Sequence, residues 1–437
     1  MKDPFEGLDS FTLRKLRQSQ TPPEIMRCIR DEMDRRLYYF GDHFSRQIVR
    51  DSMMSRNLKK ARHFLGDIRR SLNGTTCKKK SRIDVVSSAY FNFNQEISLL
   101  GWNVCRPPWD ISDQGPFLWD RELVSEMRWL RFAVVDLDFN DLIQFEFMSR
   151  VDQFVDRLKC LLIEHQVQVV VVPNDTTFFE STLVTAARRA GICSAVFIHG
   201  FPGRYNHIDD NLADILLVWG DKIKENYTSA GVPGDKIYVV GSARYKQAAG
   251  IQVTHDNGAM PLVLCKAMAG VPDSPGVRTG DRAFSLMYLD EVREVLLLLG
   301  VSRCRARPHP SESLEWYRRH LGTDFFEWDN LPLNESLGKA AYVIGPTSTV
   351  LFDSMAMGCP YYAYEPLVNG VGYDSAPLFP PFNGTEANCP VAHTSKKLRE
   401  NIAAENHVKN ELWPHYIAPF DAAKVARILG LKAPGSS

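Results

Sequence analysis

The sequence predicts an α/β protein made of two consecutive Rossmann-like units that face each other across a cleft, behind a helical N-terminal extension. Three observations predict it. The run Val167–Val172 (VQVVVV) is almost wholly apolar and β-branched, as expected of a strand covered on both faces. Runs of this kind alternate with helix-length amphipathic segments, the pattern of a parallel sheet with crossover helices. The alternation stops near Gly241 and restarts at Pro261, and 437 residues suit two to three domains at roughly 150 each.

In chain order, residues 1–80 read as a polar helical extension. From Pro23 to Phe40, Ile25, Met26, Ile29, Met33 and Leu37 recur at three- and four-residue spacing, which makes one helix face apolar. Arg27, Arg30, Arg35 and Arg36 decorate the remainder, and Lys78-Lys79-Lys80 follows. This is either a solvated face with a basic loop or a contact with an anionic membrane surface, where each basic residue adds ~1 kcal/mol.

The first unit spans 81–245. Its strand candidates are Phe132–Leu137, Val167–Val172, Ala195–His199, Ile215–Trp219 and Ile237–Gly241, with helices over Leu142–His165 and Phe179–Ala190. The second unit spans 246–437. Its strand candidates are Pro261–Cys265, Val301–Arg307, Phe325–Trp328, Tyr342–Ile344 and Tyr361–Tyr364, with helices over Phe284–Leu299, Lys396–Ala404 and Asp421–Leu429. A Gly/Pro/Asp-rich loop runs from Met268 to Asp281, and the last residues, Lys432 to Ser437, read as a linker. In open α/β sheets ligands bind beyond the carboxyl ends of the strands, so chemistry is sought there.

Composition narrows the partners. Lys+Arg and Asp+Glu are equal at 52 each, which argues against a protein that coats nucleic acid. No apolar stretch is long enough to span a bilayer, and the N-terminus lacks a secretory apolar run. Nine cysteines without a CxxC pair point to reduced thiols in a cytoplasmic protein, so N-x-S/T triplets such as Asn73-Gly74-Thr75 carry no glycosylation meaning. Neither a G-x-G-x-x-G nor a G-x-x-x-x-G-K-[ST] fingerprint occurs, which removes the main support for dehydrogenase and P-loop chemistry.

Two constellations carry chemistry. In Arg305-Ala306-Arg307-Pro308-His309-Pro310-Ser311-Glu312, at a strand end, the prolines fix φ and present the imidazole on a stiff loop. Arg307 and His309 can both donate to an anion, although a lone His-Pro pair is more often structural. In Tyr342-Val343-Ile344-Gly345-Pro346-Thr347-Ser348-Thr349-Val350-Leu351-Phe352-Asp353, a strand passes through a tight loop into a helix with three hydroxyls at its start. That arrangement serves either N-capping or a phosphate seat. The two loops together favour phosphate.

These motifs, with the Met355-Ala356-Met357-Gly358-Cys359-Pro360 that follows, resemble the C-terminal half of GT-B glycosyltransferases, especially those using CMP-activated sugars. Val172-Pro173-Asn174-Asp175, Ile198-His199-Gly200-Phe201-Pro202-Gly203, Val218-Trp219-Gly220 and Val240-Gly241-Ser242-Ala243-Arg244-Tyr245 are similar to segments of bacterial capsule and lipopolysaccharide sugar transferases. The likeness covers roughly residues 165–370. It implies a CMP-sugar donor carrying Kdo or a sialic-acid-type nonulosonate. The acceptor would be a surface polysaccharide, lipopolysaccharide or lipid-linked oligosaccharide, and the enzyme would touch the inner membrane peripherally.

It also implies roles. Arg307 and His309 would bind the donor phosphate opposite Thr347, Ser348 and Thr349, with Glu365 near the ribose or base and Lys266 near the leaving phosphate. The acceptor hydroxyl needs a base or a carboxylate nucleophile. Asp175 and His199 are the first candidates, then Glu180, with Asp209-Asp210 and, in the second unit, Asp273 also in reach. No metal and no further cofactor is expected. Asp136-Leu137-Asp138 reads as a strand-end turn, and the hydroxyl and imidazole groups can stand in for a cation. Other readings of the same residues are a transferase of polyol phosphate from CDP-glycerol, a sugar-nucleotide epimerase, and a non-catalytic nucleotide-sugar-binding protein.

Overall fold

The computed structural model describes residues 14–15, 21–38, 82–109, 116–118, 120–137, 139–201, 212–245, 259–265, 283–309, 312, 314–368, 371–372 and 378–431. Two six-stranded parallel sheets organise them. The first runs in the order β2 (Val104–Cys105), β1 (Val85–Ser87), β3 (Val169–Val172), β4 (Cys193–Phe197), β5 (Ile215–Val218), β6 (Ile237–Val239). The second holds β7 (Met260–Leu264), β8 (Cys304–Arg307), β9 (Phe326–Trp328), β10 (Ala340–Gly345), β11 (Tyr361–Tyr364) and β14 (Val391–Ala392), in the order β14-β11-β10-β7-β8-β9. A two-stranded antiparallel ribbon, β12 (Leu367–Val368) and β13 (Val371–Gly372), stands apart.

Helices cover both sheets. In the first lobe β3 is completely buried at all four valines, as its unbroken apolar run requires. In the second lobe the two-residue period sorts side chains between layers. Leu262, Leu264, Val343, Tyr361 and Ala363 enter the core shared with the first lobe. Val263, Ile344, Tyr362 and Tyr364 enter a separate core on the other face.

The predicted strand Phe132–Leu137 is not a strand. It belongs to a helix, Arg121–Asp136, whose Leu123, Val124, Met127, Leu130, Ala133 and Val134 are buried at three- and four-residue steps. Asp120 caps it by accepting from Leu123 N–H at 2.8 Å. The predicted helix Leu142–His165 starts at Phe145 and ends at Glu164, after a short separate turn at Phe139–Leu142.

The helix read near residue 23 forms as Pro23–Tyr38. Its apolar face is used inside the protein. Ile25, Met26, Cys28, Ile29 and Met33 are buried, and the helix packs on Phe178–Ala190. There Arg189 binds Glu24 at 2.9 Å together with Asp152 and Asp156, and the Cys28 Sγ lies 3.4 Å from Thr185 Oγ1. This stripe is therefore not a free membrane-facing surface, while Lys78, Lys79 and Lys80 lie outside the described residues. No helix among the described residues is long and apolar enough to cross a membrane.

The C-terminal stretch does not stay with the second lobe. From Trp413 it returns to the first sheet, where Ala418 N–H donates to Trp219 O at 2.8 Å and Asp421 N–H to Val240 O at 3.0 Å. Ser242 N–H donates to Ala418 O at 3.2 Å. Gly241 permits this approach. Its φ is +80°, and a Cβ there would sit 2.1 Å from Pro419 O.

Candidate functional site

Strand register builds the site. Ala306 pairs with Val263, and Val263 pairs with Ile344. His309 and Thr347 each lie three residues beyond those partners, so their loops leave the sheet at one height on either side of β7. Two strand spacings separate the loops by roughly 10 Å, room for one phosphate bonded from both sides. On the other side of β10, Gly345 pairs with Ala363, and two residues further on Glu365 meets the Thr347 N–H.

The His309 loop is held by a carboxylate that the sequence reading quoted without giving it a role. Glu312 accepts from His309 N–H at 2.6 Å and from the Tyr317 hydroxyl at 2.5 Å. With Glu312 N–H also donating to His309 O at 2.8 Å, the carboxylate closes a turn just before the helix Leu314–Leu321. His309 itself is exposed, and the protein packed around part of the ring lowers its pKa below the usual histidine range.

Arg307 departs from its predicted role. Its Nη1 donates to Leu331 O at 2.6 Å and Ser336 Oγ at 2.9 Å and lies 3.6 Å from Asp329. The adjoining Arg305 also pairs with Asp329. The two guanidiniums thus tie β8 to the loop before Leu333–Gly338, with Arg307 drawn toward that loop. Glu365 departs as well. It is 1% exposed, its carboxylate braces the Thr347 N–H, and its carbonyl lies 2.8 Å from His393 Nδ1, so it supports the seat from behind.

The loop 345–349 is shaped from below. The Tyr361 hydroxyl donates to Pro346 O at 2.6 Å, and a Cβ on Gly345 would fall 2.2 Å from that hydroxyl. The Thr347 hydroxyl is buried and has no partner among the described residues. Ser348 Oγ accepts from Val350 N–H at 3.2 Å. Thr349, already helical in backbone, does not cap its own helix; its oxygen accepts from Phe201 N–H of the first lobe at 2.9 Å.

Of the first-lobe candidates among the described residues, His199 is the one whose side chain is exposed at a strand end. Its Nδ1 lies 3.0 Å from Pro173 O. A carbonyl only accepts, so Nδ1 carries a proton, and in the neutral tautomer that fits this contact the lone pair sits on Nε2. Tyr90, which sequence reasoning missed, lies edge-on to this ring at 5.7 Å and is 50% exposed. No spacing in the sequence signals that contact, because it joins the ends of β1 and β4.

Asp175 is fully buried instead. Its Oδ2 accepts from Leu212 N–H at 2.5 Å and Ala213 N–H at 2.7 Å, so it pins the segment leading into β5 and does not face the cleft. Burial pushes its carboxyl pKa up, against the pull of those two N–H groups. The neighbouring Asn174 makes the Asx turn, accepting from Thr176 and Thr177 N–H. Glu180 is engaged in the first turn of Phe178–Ala190, 2.6 Å from Thr177 Oγ1 and 3.2 Å from Trp109 Nε1. Lys266, Asp273, Asp209 and Asp210 lie outside the described residues.

The lobes also touch beside the site. Arg244 binds Asp353 at 2.7 Å and stacks over Phe91 at 4.6 Å. Burial raises the Asp353 carboxyl to about 6, against the pull of Arg244. Among the described residues no group of three His, Cys, Asp or Glu side chains stands ready for a metal ion.

This pair of sheets is shared with known enzymes. A UDP-GlcNAc 2-epimerase from Methanocaldococcus jannaschii, solved with UDP-GlcNAc and UDP, matches 80% of this chain and 100% of its own at 10% identity and a TM-score of 0.50. The fold is GT-B. A UDP-N-acetylglucosamine 2-epimerase from Listeria monocytogenes matches 80% of this chain and 96% of its own (14% identity, TM-score 0.47). The wall teichoic acid polymerase TagF, soaked with CDPG, matches 86% and 95% (10% identity, TM-score 0.45). No protein-family model matches the sequence, and no curated protein does.

Proposed function

We propose that this GT-B protein transfers a sugar from a CMP-linked donor, a 2-keto-3-deoxy acid such as Kdo or a nonulosonate, to a glycan or lipid-linked acceptor of a bacterial surface polymer. In this reading it works at the inner face of the cytoplasmic membrane. The observation that carries it is the register that puts His309 and the Thr347-Ser348 loop at one height on either side of β7, with the His199 loop bonded to Thr349 beside them.

The chemistry follows from the donors available. As the glycosidic bond breaks, negative charge grows on the CMP phosphate. His309 donates to it from one side and the Thr347, Ser348 and Thr349 hydroxyls from the other, preorganised by Glu312 and Glu365. Charge neutralisation here rests on these groups, without a metal. The acceptor hydroxyl loses its proton to His199 Nε2, whose lone pair the Pro173 contact keeps available.

The test is to incubate the pure protein with CMP-Kdo, CMP-sialic acid, CDP-glycerol and UDP-GlcNAc, following CMP release and epimerisation. Release of CMP from a CMP-sugar, lost in His309→Ala, supports the reading. Turnover of CDP-glycerol alone assigns polyol-phosphate transfer, and epimerisation of UDP-GlcNAc assigns an epimerase. Failure to bind or turn over any of the four overturns it.

A further inference from the structure

We infer that Thr349 is a positioning residue, a two-sided hydroxyl that pins the His199 loop to the phosphate seat; this rests on the donor-site reading above. The first residues of the loop after β4 are tied at two points. His199 is held inside its own lobe by Pro173 O at 3.0 Å, and two residues later Phe201 N–H crosses to the other lobe and donates to Thr349 Oγ1 at 2.9 Å. The residue between them is Gly200, and a Cβ there would come 3.2 Å from the same oxygen. A side chain at 200 would therefore crowd the contact. The Phe201 ring is seated among Phe352, Phe382 and Tyr416 at centroid distances of 5.6–5.8 Å, so its backbone has little freedom to leave.

The chemistry of a hydroxyl makes the pin more than a strut. It has one proton to give and two lone pairs to receive. Receiving from Phe201 leaves the proton of Thr349 for an anion in the seat, and a hydroxyl that accepts one hydrogen bond is polarised into a better donor. A bound phosphate and the Phe201 N–H thus strengthen each other through one oxygen. Filling the seat tightens the loop that carries His199, so the acceptor-activating ring is in place when donor is present.

The test uses the full chain and three variants. Thr349→Val keeps the branched shape and removes the hydroxyl, Thr349→Ser restores it, and Gly200→Ala crowds it from the other side. Without ligand, the Phe201 amide should exchange with deuterium about fivefold faster in Thr349→Val, the weight of one neutral hydrogen bond, and at the wild-type rate in Thr349→Ser. Gly200→Ala should move toward Thr349→Val. With CMP added, protection of residues 199–201 should rise in wild type and Thr349→Ser but not in Thr349→Val, although the latter still binds CMP. In turnover, Thr349→Val should lower kcat at least about tenfold and also raise donor KM, because it removes the pin and one phosphate donor together, whereas Gly200→Ala, which keeps the hydroxyl, should lower kcat with donor KM within about threefold. Wild-type Phe201 exchange in Thr349→Val overturns the pin. Absence of CMP binding by the wild type overturns the donor reading instead, and the ligand-free exchange still decides the pin.

Discussion

Asp353 should make stability depend on pH in a calculable way. Its side chain is 8% exposed, it faces Arg244 and Tyr245, and burial lifts its pKa from an ordinary 3.8 to about 6. Between these values the folded protein holds a proton that the unfolded chain has released. Stability from this group is therefore complete below pH ~4 and is lost as pH rises through 6. At about 1.36 kcal/mol per pKa unit, the loss comes to ~3 kcal/mol. Asp353→Asn removes the titrating group, so the comparison of the two proteins isolates it from other carboxylates. Urea unfolding at half-unit steps from pH 4 to pH 7 should show wild type losing ~3 kcal/mol relative to Asp353→Asn, most of it between pH 4 and 6. A flat difference across that window, or wild type gaining stability relative to Asp353→Asn as pH rises, would refute the claim that Asp353 is buried at the cost of its charge.

Three further outcomes are expected. Gly241→Ala places a Cβ 2.1 Å from Pro419 O at a φ of +80°, so thermal unfolding should show a loss of about 2–4 kcal/mol from left-handed strain and broken tail contacts. CMP affinity, measured by calorimetry, should rise as pH falls toward 6, because a phosphate beside His309 raises a pKa that packing holds low; His309→Ala should lose that component, leaving only the titration of the phosphate itself. Ile29→Ala, at a fully buried position on Pro23–Tyr38, should destabilise by about 2–4 kcal/mol in urea, whereas a solvated helix would show almost no change.

The sheet plan was legible where the signal was a continuous apolar run, as in β3 and β11. It failed at Phe132–Leu137, because six residues of FAVVDL look alike as a strand or as the last turns of a helix, and the deciding residues begin at Leu123. β1 and β2 were missed because two or three residues leave no period to read. For the site, strand ends pointed to His199, His309 and the 347–349 loop, and the structure places all three beyond strand ends. Position along a strand does not say which way a side chain turns. Asp175, Arg307 and Glu365 all stand at strand ends, yet each is drawn into the protein by backbone N–H groups, carbonyls or side chains distant in sequence. The Phe201–Thr349 and Arg244–Asp353 contacts join residues more than a hundred positions apart, and no local pattern encodes them.

Because the second sheet begins at β7, after Tyr245, and the chain comes home at Trp413, the first lobe is assembled from two separated stretches of the polypeptide. Exchanging donor lobes between such proteins therefore takes two junctions, one on each crossing. A chimera spliced once would combine a terminal helix from one parent with a docking groove from the other.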